Sequence, residues 1–388
     1  MANPDAINRG RLVDEFLELA RISSASKREG QIAKRLTGIL EGMGATVEVD
    51  DAGDRVGGDV GNLVARFPGS APDAAPFLLC GHMDTVVPCE KVTPVVAGDI
   101  IRTDGTSVLG GDDKAGIVAI LEAVRVLRET QAPHGPIDVL LTICEEMGLV
   151  GAKHFDVGRL RARRGLVLDC DGVGELITRA PAANRMQFTV HGLEAHAGIA
   201  PEQGLSAIRI ASEAIAEMRL GRVDDETTAN IGRIEGGLAA NIIPNRVHLR
   251  AEARSLTEAR LEAQTRHMSE CFARAAARHC VTVEGREHAA RVEAKIERDY
   301  DPLNVEDSAP IVRLLARASE RLGAPFRTRA TGGGSDANVF TGRGVEVANL
   351  ACGMREIHTV HEWVDVKDML KTASLLVEVV RVHSEGAR

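Results

Sequence analysis

Three short apolar runs in the first half of the chain each end in an acid or a histidine, and this constrains the fold more than any other feature. Phe77 to Cys80 leads into Gly81-His82, Val139 to Cys144 into Glu145-Glu146, and Gly165 to Leu168 into Asp169. Continuous apolar runs of this length are the pattern of strands buried on both faces. Between the first two, Ile117, Ile120, Leu121, Val124 and Leu127 fall on one face of a helix. Residues 7 to 43 read as two further helices, and Val47–Val49 and Asn62–Phe67 as short strands. Strands alternating with helices imply an α/β fold with a mostly parallel, helix-covered sheet. In such a sheet the crevice beyond the strands' carboxyl ends is where ligands bind. The acids and the histidine fall there.

The pattern changes near residue 183. Arg185 to His191 alternates like a half-buried strand, a helix fits Leu205 to Leu220, and strands fit Ala229–Glu235 and Arg246–Ala253. A helix over Thr257–Ala277 and a strand over Val292–Ile296 complete a β-α-β-β-α-β order, the ferredoxin-like plan. With 388 residues the chain is too long for one ordinary core. The expected organisation is a catalytic domain in two parts, 1–182 and 299–388, with an inserted ferredoxin-like α+β lid domain at 183–298. The helices and an exposed strand edge of that insert allow a homodimer.

Composition narrows the partners. A formal net charge of -9 supplies no basic field for nucleic acid. No apolar stretch reaches the length of a membrane span, and the first residues lack the apolar core of a secretory signal. Seven cysteines, with no CxxC pair, read as reduced thiols of a cytoplasmic protein. Neither GxSxG nor a P-loop is present.

Five acid or histidine sites remain: His82-Met83-Asp84, Asp112-Asp113, Glu145-Glu146, Asp169 and, far downstream, His361-Glu362. Each alone has a bland reading as a solvated or satisfied polar group. Their convergence on one sheet edge favours a metal site, because imidazole and carboxylate together suit zinc, cobalt or manganese. Asp84, two residues beyond His82 on an extended chain, can accept the imidazole N–H and fix the ring. Adjacent Glu145 and Glu146 face opposite ways, so one can hold metal while the other serves as a general base. Carboxylates this close repel unless a cation lies between them.

The segments GHMDTVVP (81–88), LGGDDKAG (109–116), ICEEMGLVGAK (143–153), LVLDCDGVGEL (166–176), GGGSDANVF (332–340) and HTVHEWV (358–364) carry a resemblance. Together they resemble the dinuclear-zinc peptidases and deacylases, a family that includes peptidase T, carboxypeptidase G, acetylornithine deacetylase and succinyl-diaminopimelate desuccinylase. With the insert, the likeness spans nearly the whole chain. It implies two divalent ions, most commonly zinc. His82 and Asp169 hold the first, Glu146 and His361 the second, and Asp112 bridges them across a cis Asp112–Asp113 peptide. Asp84 orients His82. Asp171 also follows the strand that ends near Asp169, so the choice between them stays open from sequence. Glu145 is implied as general base toward a metal-activated water.

The resemblance also implies that His196, in GLEAHAG, helps to stabilise an oxyanion. Asn241 and Arg254 resemble positions that bind a substrate carboxylate, a task the Arg fork suits. Gly333 and Ser335 lie in a loop of close backbone approach to substrate. Cys80, Cys144, Cys170 and Cys352 read as small hydrophobes rather than ligands. The implied activity is that of a peptidase T-like aminopeptidase on short peptides. An amidohydrolase of N-acyl amino acids and a non-catalytic metal-binding module are the alternatives.

Overall fold

A computed structural model describes residues 7–71 and 73–386. The chain divides into two compact units. The larger runs to Arg179 and resumes over Leu303–Thr331 and from Ser335, and the smaller comprises Ala180–Pro302 with Gly332–Gly334. The divisions fall at Arg179 and Pro302. Among the described residues no helix is long and apolar enough to cross a membrane.

In the larger unit nine described strands form one sheet, in the order Thr46–Val49, Leu63–Phe67, Ile137–Thr142, Phe77–His82, Arg164–Val167, Glu346–Cys352, Val173–Ala180 and Leu303–Asn304, with Arg327–Ala330 alongside Val173–Ala180. The centre is parallel: Phe77–His82 pairs with Ile137–Thr142 and Arg164–Val167, which in turn pairs with Glu346–Cys352. Every residue of Phe77–His82 and Ile137–Thr142 is buried, as their unbroken apolar runs require. The flanks carry antiparallel pairs, Leu63–Phe67 with Ile137–Thr142 on one side and Val173–Ala180 with Glu346–Cys352 on the other. The long helix Gly111–Glu129 packs on Phe77–His82 and on the last helix, Val366–Glu385. Its apolar residues, Ile117 and Leu127 among them, join the main core.

A second, four-stranded sheet in this unit has no clear signature in the periodicity of the sequence. Pro94–Ala97, Ile100–Thr103, Trp363–Asp365 and Met354–Arg355 build it. Its pairing of Met354–Arg355 with Trp363–Val364 makes residues 356–362 a loop.

The smaller unit has the expected β-α-β-β-α-β order. Its antiparallel sheet runs Gly221–Arg222, Thr227–Gly236, Arg246–Ser255, Ala182–His191, Arg291–Tyr300. Helices Ala207–Glu217 and Glu258–Ala277 pack on this sheet, and Met186, Phe188, Val190, Val247, Leu249, Ile210 and Phe272 share its core. The alternation along Ala182–His191 follows directly: Met186, Phe188 and Val190 are buried, while Arg185 and Gln187 point to the other face and are exposed. An additional hairpin, Cys280–Val283 with Arg286–Ala289, stands apart from this sheet.

The rings of Phe188 and Phe272 lie 4.3 Å apart in the small core. Replacing Phe272 with Ala removes most of that contact and leaves a cavity. It is expected to lower the stability of the small unit by about 3–5 kcal/mol, measured by denaturant unfolding followed by circular dichroism.

Candidate active site

The carboxyl ends of the parallel strands deliver the site. His82 is the last residue of Phe77–His82, Glu145 and Glu146 follow Ile137–Thr142, and Asp169 follows Arg164–Val167. Asp112 enters from the first turn of Gly111–Glu129, where it and Asp113 depart from helical geometry and the peptide bond joining them is cis. Strand Phe77–His82 needs glycine at 81, because a Cβ there would stand 2.5 Å from a carboxylate oxygen of Asp113. That same oxygen accepts the backbone N–H of His82 at 3.2 Å.

His82 Nε2 lies 2.9 Å from Asp112 Oδ1 and 3.9 Å from Asp169 Oδ1. Ligand atoms of His82, Asp112 and Glu146 lie within 4.8 Å of one another, as do those of His82, Glu145 and Asp169. The second imidazole at this cluster is His358, not His361. His358 Nε2 is 3.0 Å from Glu146 and 3.2 Å from Asp112 Oδ2. His361 is exposed, and its backbone N–H donates to the Thr359 hydroxyl. The reason is the loop 356–362: Glu356 and His358 both take positive φ, 51° and 62°, which turns the first histidine toward Asp112. Two histidines three residues apart in HTVHE look equivalent in sequence, and only this backbone separates them. Asp169 and Asp171 also part company. Asp169 joins the His82 cluster, whereas Asp171 is exposed and paired with Arg329.

The framework around these groups is built from side chains gripping backbone. Asp84 Oδ1 accepts the Glu145 N–H at 2.9 Å, and Oδ2 accepts the Glu146 N–H at 3.2 Å and the Ser26 hydroxyl at 2.6 Å. The nearer partner of His82 Nδ1 is the backbone carbonyl of Asp84, at 2.9 Å, with the carboxylate at 3.5 Å. The ring is therefore fixed chiefly by the Asp84 backbone, while the carboxylate fixes the two glutamates. Glu29 accepts the Cys144 N–H at 3.0 Å and Asn62 accepts that of Ile143 at 3.0 Å. Four successive N–H groups, 143 to 146, are thus held by three side chains, while Cys144 takes a left-handed φ of 50°. Asn349 brackets Asp169, accepting its N–H at 2.9 Å and donating to its carbonyl at 2.6 Å. Sequence reasoning misses Glu29, Asn62, Asn349 and His358. A lone Asn or Glu outside the acid clusters carries no periodic signal, and only the paired histidines of HTVHE could have flagged His358.

Ser335 proves to be framework as well. It is 4% exposed, its hydroxyl accepts the Ala337 N–H at the start of helix Asp336–Gly342, and Asn349 donates to it at 3.1 Å. These partners make the hydroxyl oxygen part of the frame. In the preceding glycines, a Cβ at Gly333 would meet nothing within 4 Å, whereas one at Gly334 would stand 2.4 Å from the Tyr300 ring. Within the smaller unit, His196 is exposed and its Nδ1 accepts the N–H groups of Gly198 and Ile199 at 3.2 and 3.1 Å. This places the proton of the neutral imidazole on Nε2. Asn241 is exposed. Arg254 is half-buried and pairs with Glu252 at 3.1 Å, and its buried Nε has no hydrogen-bond partner.

The electrostatics ask for cations. Burial pushes the Glu145 carboxyl far up, with Asp169 adding repulsion, and burial does the same to Asp169, with Asp112 adding to it. Burial raises Glu146 too, against the pull of His358. For Asp112 burial is outweighed by its hydrogen bonds with His358 and His82, which hold it below the usual carboxylate range. Burial would lower His82, yet its bonds to Asp112 and Asp84 hold it well above the usual histidine range. Hydrogen bonds to Asp112 and Glu146 push His358 up to about 10. Both imidazoles are thus drawn toward positive charge by the acids around them. Two nitrogen donors among four carboxylates, with Asp112 shared, is a donor set that fits a pair of divalent ions.

A profile of peptidase family M20/M25/M40 matches residues 78–382. The uncharacterized protein YqjE of Bacillus subtilis (strain 168) is 42% identical over 375 residues, 96% of this chain and 98% of its own. The crystal structure of aminopeptidase PepT from Bacillus cereus ATCC 10987 matches with a TM-score of 0.85 at 42% identity, over 97% of this chain and 99% of that one. A tripeptidase from Staphylococcus aureus subsp. aureus Mu50 matches with a TM-score of 0.90 at 35% identity, over 98% and 100% of the two chains.

The two histidines of the 358–364 segment separate in one experiment. His358→Ala is expected to retain fewer tightly held metal equivalents than the parent protein by elemental analysis. His361→Ala is expected to match the parent, and the reverse outcome would return the role to His361.

Proposed function

The chain belongs to peptidase family M20/M25/M40 and is a metallopeptidase, and from that premise we propose that it is an aminopeptidase acting on short peptides, with Glu145 as its general base. The observation that carries the assignment of Glu145 is its freedom from structural duty. Its backbone N–H is held by Asp84, yet among the described residues no neighbour hydrogen-bonds its carboxylate, which sits with His82 and Asp169 at the sheet edge. Burial and Asp169 raise its proton affinity, which suits a group that must accept a proton and release it again.

In this reading His82, Asp112 and Asp169 would hold one divalent ion, and Asp112, Glu146 and His358 would hold the other. When bound, the pair lowers the pKa of a water and polarises the scissile carbonyl. Glu145 takes the water's proton and passes it to the leaving amine. Asp84 keeps the Glu145 and Glu146 backbone in register. His196, with its proton on Nε2, is proposed as a hydrogen-bond donor to the developing oxyanion. Asn241 and Arg254 bind a substrate carboxylate. The Arg254 Nε, buried without a partner, supports that use. The aminopeptidase and tripeptidase matches favour peptides over N-acyl amino acids. Zinc is the proposed metal, with cobalt and manganese suited to the same donors. A cytoplasmic location accords with seven cysteines that are all free thiols.

Tripeptides offered beside N-acetyl and N-succinyl amino acids test the substrate assignment. Release of a free N-terminal residue from tripeptides is the expected result, and turnover of the acyl compounds alone would overturn it. Glu145→Gln should lower kcat by about 10²–10⁴-fold with metal content preserved, measured by amine release and elemental analysis. Unchanged turnover would remove Glu145 from the mechanism.

A further inference from the structure

Glu362 is a buried carboxylate, 1% exposed, to which the mechanism above gives no role. Its Oε2 accepts the backbone N–H groups of Leu109 and Gly110, and its Oε1 accepts that of Asp112, each at 2.8 Å. Three donors from one loop thus converge on a side chain some 250 residues away in sequence. Asp112, at φ -83° and ψ 103°, lies outside helical geometry, although a helical-type hydrogen bond from the Lys114 N–H reaches the Gly110 carbonyl at 3.2 Å. Gly110 adopts φ 74°, and a Cβ on Gly111 would stand 2.8 Å from Val364 and 3.0 Å from Glu362 Oε1. Glu362 is itself anchored. Its N–H donates to the Thr359 carbonyl, and the next residues, Trp363 and Val364, pair with Arg102 and Ile101. A buried ammonium, Lys114, donates to the Ile22 carbonyl at 2.9 Å and contributes positive charge near the carboxylate. Glu362 follows His358 by four residues, so one short segment supplies His358 and grips the backbone of Asp112.

We propose that Glu362 is a positioning residue for Asp112. By gathering the N–H groups of Leu109, Gly110 and Asp112 it sets where the Asp112 carboxylate stands between His82 and His358, and so sets the spacing of the two cation positions. Hydrogen bonds from N–H groups to a carboxylate are stronger than those to a neutral acceptor, so no amide replaces this grip. The inference rests on the reading of the site as a two-ion centre.

Metal-free protein titrated with Co(II), followed by visible absorption, tests it. The parent protein is expected to take up two equivalents; failure to do so would count against the two-ion reading itself. In Glu362→Gln the amide turns an N–H against the backbone donors. The second equivalent is expected to bind roughly 10–100-fold more weakly, with altered d–d bands and with kcat lowered more than KM. A variant that melts at a lower temperature without metal, yet gives the parent's Co(II) isotherm and spectrum, would show a purely structural role and overturn the proposal. If Glu362→Gln fails to fold, Glu362→Asp decides. Weakened uptake of the second equivalent supports positioning, and parental uptake overturns it.

Discussion

Mutual repulsion among buried carboxylates governs this structure. Asp112, Glu145, Glu146 and Asp169 are gathered around His82 at one edge of a sheet, each with little exposure to water. Desolvation and like charge both oppose their ionisation, and the two imidazoles respond by being drawn toward the cationic form. Positive charge at its centre would let these carboxylates ionise together, and the pair of divalent ions proposed for this site would supply it.

The surrounding residues hold the acids where they would otherwise separate. Asp84, Glu29 and Asn62 grip four successive N–H groups beneath Glu145 and Glu146. Asn349 brackets Asp169, and Glu362 gathers the loop that presents Asp112. Each grip is a polar side chain paired with backbone inside the protein, although Glu29 leaves its buried Oε2 without a partner, at a cost of about 1–3 kcal/mol. The parallel strands provide the common edge, and these contacts convert it into a defined set of donors.

Family membership and the shared edge explain why the chemistry is amide hydrolysis, whereas the residues proposed for recognition lie in a different part of the chain. His196, Asn241 and Arg254 all belong to the inserted unit. Its sheet and two helices have a core of their own, so the residues proposed to meet the substrate rest on a scaffold separate from the one that holds the acid and histidine cluster.

The central strands, the long helix and the order of the inserted unit are legible because burial imposes a period, and periods are written locally. His82, Asp112, Glu145, Glu146 and Asp169 are legible for a related reason: each lies next to a strand end or helix start that the apolar pattern marks. The choice of His358 over His361 is not, because it depends on two left-handed residues in a loop that exists only once Met354–Arg355 pairs with Trp363–Val364. The same holds for Ser335, which local sequence offers to a substrate and Asn349 draws into the frame. Sequence by itself determined the central strands, the long helix and the order of the inserted unit, and which chemistry gathers at the strand ends. Tertiary structure decided which side chains face the centre and which hold the others, since that depends on hydrogen bonds between segments as much as 253 residues apart.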